Sequence, residues 1–163
     1  MTIDFFNPKC ESSTSQIEFG ICDGEDTEIA YIDLQNKKNW ICTVDNPNSK
    51  KITFIAIDKC IVIMNNKREV ESSCDCMLLY IDNIVFIELK ERRRSTTELG
   101  IAQIENTIIH FIKNHDIMKY KHKRAFVANR RHPNFQIVEN ETMRKFFAKY
   151  KVRLNIQAKV DVS

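Results

Sequence analysis

The chain has 163 residues, 43% hydrophobic and 29% charged, with 25 Lys and Arg against 22 Asp and Glu for a net charge of +3. That is the length of one domain, long enough to bury a sizeable core, and the balance excludes an intrinsically disordered or low-complexity chain. Three Gly and three Pro leave little room for long linkers, so a single domain over residues 1–163 is expected. No basic segment followed by an apolar run opens the sequence, and no stretch of about 18 apolar residues occurs, which predicts a cytoplasmic chain without a membrane partner.

Residues 1–65 read as a β-rich N-terminal part. Short apolar runs at Phe19–Cys22, Ile29–Leu34, Trp40–Val44, Ile52–Ile57 and Cys60–Met64 are separated by turn signals at Asp23-Gly24, Asn46-Pro47-Asn48 and Asp58-Lys59. The six cysteines, Cys10, Cys22, Cys42, Cys60, Cys74 and Cys76, lack C-x2-C spacing and a paired His motif, so buried reduced thiols are expected rather than a zinc site.

The stretch Glu71–Lys90, ESSCDCMLLYIDNIVFIELK, is the centre of the sequence. Met77–Ile81 and Ile84–Leu89 are apolar runs split by the polar pair Asp82-Asn83, which predicts an antiparallel hairpin. Nearly continuous apolar strands imply burial on both faces, in the middle of a sheet. Asp75 begins the first strand. Glu88 and Lys90 end the second on one face with Ile84 and Phe86, about 7 Å apart. A bland reading of these charges, a solvated strand end, stands beside a chemical one.

After Lys90 come Glu91-Arg92-Arg93-Arg94 and then Ser95 and Glu98 at capping-box spacing, predicting a helix from Ser95 to about Lys113. Ile101, Ile104, Ile108, Phe111 and Ile112 form its apolar stripe, and Gln103, Asn106, Thr107 and His110 a polar one. A basic segment, Lys119 to Arg124, leads into a strand at Ala125–Ala128 and out to Asn129-Arg130-Arg131-His132. A second helix with Met143, Phe146, Phe147 and Tyr150 on one face and a strand near Val152–Gln157 complete the chain. His115, His122 and His132 have no ligand spacing and read as surface residues.

Charge is unevenly shared: residues 1–82 carry 8 Lys and Arg against 14 Asp and Glu, residues 83–163 carry 17 against 8. A basic half beginning at the hairpin is the electrostatic footprint of a phosphate-backbone binder. Arg92, Arg93, Arg94, Lys123, Arg130 and Arg131 are the candidate nucleic-acid contacts, holding phosphates rather than reading bases.

Asp75 followed by Glu88-Leu89-Lys90 on the neighbouring strand resembles the signature of the PD-(D/E)XK nuclease superfamily, with Cys74 where the motif has its Pro. The resemblance covers roughly residues 70–130. It implies a restriction-endonuclease-like α/β core over residues 66–163, a central mixed sheet flanked by helices, and metal-dependent hydrolysis of phosphodiester bonds, usually in DNA. It further implies Asp75, Glu88 and the Leu89 carbonyl as ligands of Mg2+ or Mn2+, Lys90 as the group acting on the attacking water and the developing charge, and Gln103 near the metal or scissile phosphate. Small members act as homodimers or as subunits of larger repair, restriction or anti-phage systems. The superfamily's helix bearing an extra Glu has no counterpart here; Glu69 and Glu71 are either its substitute or loop charges. The competing reading is a non-catalytic nucleic-acid- or partner-binding module on a nuclease-like fold.

Overall fold

The computed structural model describes residues 2–24, 28–90, 96–130 and 140–163. In chain order they form β1 (Glu11–Thr14), β2 (Glu18–Cys22), β3 (Tyr31–Asp33), β4 (Cys42–Asp45), β5 (Ile52–Ala56), β6 (Cys76–Tyr80), β7 (Asn83–Lys90), α1 (Thr96–Asn114), β8 (His122–Asn129), α2 (Asn140–Tyr150), β9 (Arg153–Ile156) and β10 (Lys159–Asp161). The architecture is mixed α/β and mostly strands, built on two mixed sheets. One sheet has the order β1-β5-β6-β7-β8-β9, the other β10-β4-β2-β3.

β7 lies inside the larger sheet, antiparallel to β6 and parallel to β8. Parallel neighbours need a crossover, and α1 makes it between β7 and β8 as α2 does between β8 and β9. Alternation sorts the strand side chains onto two cores. Ile55, Met77, Ile84, Phe86, Ala125 and Val127 pack with Ile104, Ile108 and Phe111 of α1 and Phe146 and Tyr150 of α2. Phe54, Cys76, Leu78, Val85, Ile87, Leu89 and Phe126 pack with Phe19, Ile21 and Val44 of the smaller sheet. Both helices therefore cover one face, and the second sheet covers the other. The N-terminal strands divide: β1 and β5 extend the central sheet, while β2, β3 and β4 cover it. Among the described residues no helix is long and apolar enough to cross a membrane.

The structure departs from the sequence expectations in particular places. Cys60–Met64 is no strand beyond an isolated bridge between Met64 and Val70, because the chain turns at Lys59, with φ 66°, and Cys60 is joined to Cys10 by a disulfide. The expectation of reduced thiols thus fails for that pair; Cys22, Cys42, Cys74 and Cys76 are buried outside it. Asn83 pairs with Tyr80, so the hairpin turns on Ile81 and Asp82 rather than on Asp82 and Asn83. The apolar stripe of α1 is also rotated: Ile112 is 43% exposed while Thr107 is buried. At about 100° per residue Ile112 sits about 80° from Ile104 on one side and Thr107 about 60° on the other, the side that packs on the Cys74 backbone, whose N–H donates to the Thr107 hydroxyl. On α2, Phe146 and Tyr150 face the core but Phe147 is 40% exposed. The Ser95 cap, and Arg92, Arg93, Arg94, Arg131 and His132, lie outside the described residues.

Candidate functional site

Register builds the site. Cys76 pairs with Ile87 across β6 and β7, so the next position outward sets Asp75 opposite Glu88. The Leu89 backbone N–H donates to Asp75 Oδ2 at 2.7 Å, which ties the Asp75 carboxylate to β7. Glu88 is 2% exposed, and its Oε2 has no hydrogen-bond partner among the described residues. Burial first, then a hydrogen bond and the negative charge of Asp75, push the Glu88 carboxyl up to about 11, with Lys90 opposing the rise. At neutral pH and without a cation, Glu88 keeps its proton. This is the behaviour of two carboxyl groups that share a site with little water.

Lys90 and Gln103 come together, the Lys90 Nζ donating to Gln103 Oε1 at 2.8 Å. Gln103 Nε2 reaches back to the Ser73 carbonyl at 3.4 Å. Further along the polar stripe of α1, Asn106 Nδ2 donates to the Ser72 carbonyl at 2.7 Å. The Thr107 hydroxyl accepts from the Cys74 N–H at 2.8 Å and donates to the Gln103 carbonyl at 2.8 Å. The stripe therefore clamps the backbone that delivers Asp75 to the sheet. Gly100 lets α1 approach: a Cβ there would lie 3.1 Å from Val127 Cγ1 and 3.4 Å from both Glu88 Cγ and Lys90 Cε.

Asp58 joins this neighbourhood unforeseen. It follows β5, whose end adjoins the start of β6, and the Ile57 N–H donates to the Asp75 carbonyl at 2.8 Å. The Asp58 carboxyl is raised by burial and by Asp75, and lowered by Lys59 and Lys90. The signal was present in the sequence, since an antiparallel meander brings the end of Ile52–Ile57 beside Asp75; a turn reading of Asp58-Lys59 hid it. Glu71 belongs elsewhere. It meets His110 Nε2 at 2.6 Å, and the bonds from His110 and Asn106 hold its carboxyl below the ordinary value. Glu69 accepts from Asn65 Nδ2 at 3.0 Å within its loop.

The donor set fits a divalent cation through the orphaned Glu88 Oε2, the facing Asp75 carboxylate and the Leu89 carbonyl. Among the described residues, however, no three His, Cys, Asp or Glu side chains converge closely enough to hold an ion by themselves. Mg2+ keeps several waters and needs few protein ligands, so a two-carboxylate set is sufficient chemistry for it.

Of the candidate nucleic-acid contacts, Lys123 and Arg130 fall within the described residues, and they lie at opposite ends of β8. Lys123 lies at the start of β8, opposite Ile84, and Arg130 follows its end, where the Arg130 N–H donates to the Lys90 carbonyl at 3.1 Å. Lys123 Nζ donates to the Tyr120 carbonyl at 2.8 Å, beside a basic cleft far from Glu88. His115 is not a bare surface residue: its Nε2 accepts from the Phe5 N–H at 3.1 Å and its ring packs on Phe6 and Phe111. Compared with protein-family models, with curated proteins and with solved structures, the chain matches none.

Proposed function

We propose that the chain is a nuclease that hydrolyses phosphodiester bonds of nucleic acid with a divalent cation, Mg2+ or Mn2+. The observation that carries this reading is the meeting of Asp75, Glu88 and the Lys90–Gln103 pair at one end of a buried hairpin. The order of elements, an antiparallel β5-β6-β7 unit followed by α1 and then β8 parallel to β7, agrees with the core implied by the PD-(D/E)XK resemblance. Buried ionisable groups cost stability unless they are used or paired, and here one carboxyl oxygen is left without a partner.

Asp75, Glu88 and the Leu89 carbonyl would hold the cation, with Asp58 adding negative potential behind Asp75. When bound, the cation supplies a Lewis acid for the phosphoryl oxygens and a nucleophile competent at neutral pH. Glu88 must release its proton to serve, so cation binding and proton loss are coupled. Lys90 presents its ammonium toward the charge that grows on phosphorus, and Gln103 fixes the direction of that ammonium.

Single-turnover cleavage of DNA and RNA, single- and double-stranded, in Mg2+, Mn2+ or EDTA tests the reading. Asp75→Ala and Glu88→Ala are expected to abolish cleavage and calorimetric Mn2+ binding. Lys90→Ala is expected to keep Mn2+ binding and lose about 10²–10³ in rate, with a smaller loss for Gln103→Ala. Cleavage unchanged in purified Glu88→Ala and Lys90→Ala proteins would sink the proposal. A second reading, a non-catalytic binding module, is favoured by the two-carboxylate count and the retained proton on Glu88; it predicts nucleic-acid binding with no cation-dependent turnover.

A further inference from the structure

We infer that the cleft at the opposite end of the central sheet is a single-strand nucleic-acid site, with phosphates on Lys151 and Arg153 and an unpaired base on the Phe147 ring. The cleft, of about 640 Å³, is formed where β7, β8 and β9 begin. Glu88 and Lys90 lie at the other end of β7, and the five steps along the strand from Asn83 to Glu88 span about 17 Å.

Charge is the first observation. Lys50, Lys121, Lys123, Arg124, Lys151 and Arg153 line the cleft with His122, and among the described residues Asp161 is its one acidic side chain. Among the described residues none of these six cations takes part in a salt bridge; the ion pairs join Lys37 to Glu18, His110 to Glu71, Lys145 to Glu141 and Lys149 to Glu105. Arg124 is held in place through Nη2 by the Tyr80 hydroxyl at 2.6 Å and the Asp161 carbonyl at 3.0 Å. So much like charge in one concavity is repulsive unless an anion fills it.

The second observation is the aromatic face. Phe147 points out of α2, 40% exposed, with Lys151 Nζ 5.6 Å and the Arg153 guanidinium 5.2 Å from its ring centre. Both cations lie over the ring in cation–π contact, so a strand whose phosphates draw Lys151 and Arg153 outward leaves the ring to a stacked base, the arrangement by which proteins hold single strands. Bases in a duplex have no free face to offer, and a cleft of ligand size does not admit a double helix.

The third is backbone strain. Lys151 has φ 59° as the chain leaves α2, its N–H donating to the Phe147 carbonyl at 2.8 Å. Glycine or asparagine is the ordinary residue at such a helix end, and a lysine there places a cation over the ring at a cost to stability. The charges come from the loop before β5, the start of β8 and the segment after α2. That spread fits successive phosphates of a strand better than the one phosphate of a mononucleotide.

The test is fluorescence anisotropy on the full chain in EDTA, so that turnover plays no part. Probes are a labelled oligothymidylate, the matching duplex, base-free polyphosphate as a competitor and thymidine monophosphate as a competitor. Lys151→Gly with Arg153→Gln is expected to weaken oligothymidylate binding at least about tenfold at low salt and to flatten the salt dependence by about 1.4 in log–log slope, the share of two phosphates. Phe147→Ala is expected to weaken the oligonucleotide about fivefold or more and leave polyphosphate competition unchanged. Circular dichroism and melting confirm folding, which Lys151→Gly should not impair. Unchanged affinity in the double variant, equal or tighter duplex binding, or monophosphate competing as well as the strand would each overturn the inference. So would polyphosphate competition that tracks the oligonucleotide in every variant. Lys90→Ala should leave this binding intact, which separates failure here from failure of the nuclease reading.

Discussion

Glu88 is the residue on which the site and the stability of the chain meet. Its carboxyl titrates near 11 in the folded chain against an ordinary 4.5, so between those values the folded state holds a proton that the unfolded chain has released. Stability falls with rising pH wherever the folded state binds more protons. The penalty is absent below about pH 4.5, grows through neutrality and levels off above the folded value. Without divalent cation, the wild-type melting temperature is expected to fall from pH 5 to pH 9 more steeply than that of Glu88→Gln. The variant should also be the more stable protein at pH 8. Equal slopes in a melting series would dispose of the claim. Under the nuclease reading, Mn2+ at pH 8 raises the wild-type melting temperature and leaves Glu88→Gln unmoved, because cation binding adds stability only to a folded state that retains its ligands.

At the scale of elements, the hairpin carries a flaw that can be repaired. Ile81 is 74% exposed with φ 47°, a left-handed conformation that costs a non-glycine residue about 1–2 kcal/mol. Of the two loop residues only Ile81 has a positive φ, and a two-residue hairpin loop of that kind favours Gly at its first position. Ile81→Gly is expected to stabilise the protein by about 1 kcal/mol, read as a higher urea midpoint at constant m-value; a lower midpoint would argue that the Ile81 side chain makes a contact worth more than the strain. The same elements explain what could be read in advance. β6, β7 and α1 carry long apolar patterns whose period admits one structure, and that pattern brought Asp75, Glu88, Lys90 and Gln103 to light. β1, with the sequence ESST, buries almost nothing of its own and is a strand only because β5 offers hydrogen bonds, while β10 buries Val160 but at three residues is too short for its pattern to stand out. Asp58 was missed because the turn signal of Asp58-Lys59 masked what the meander implies, that the end of β5 lies beside Asp75. The Cys10–Cys60 pairing was equally illegible, since spacing does not determine connectivity.

For the whole molecule, the disulfide between Cys10 and Cys60, 50 residues apart, closes a loop that contains β1 through β5. It also tethers the turn that bears Asp58. Closing a loop of that size restricts the unfolded chain, and removing such a bond typically costs about 2–4 kcal/mol. Cys10→Ser with Cys60→Ser is expected to lose that much stability in urea titration, and reductant should do the same to the wild type. No effect of reductant would mean that the two thiols are not bonded in solution.

The smaller sheet has a further property set by its strand order. β4 has β10 as its parallel neighbour on one side, with Thr43 N–H donating to the Ala158 carbonyl and Val162 N–H to the Asp45 carbonyl. More than a hundred residues separate these partners, so on a ribosome the β4 edge is made long before the strand that covers it. During that interval β4 presents open backbone groups to any passing strand, and pairings of such sequence separation are slow to form. Refolding should therefore end in a slow step in which residues 158–162 dock, and until they do the edge of β4 stays open to mispairing.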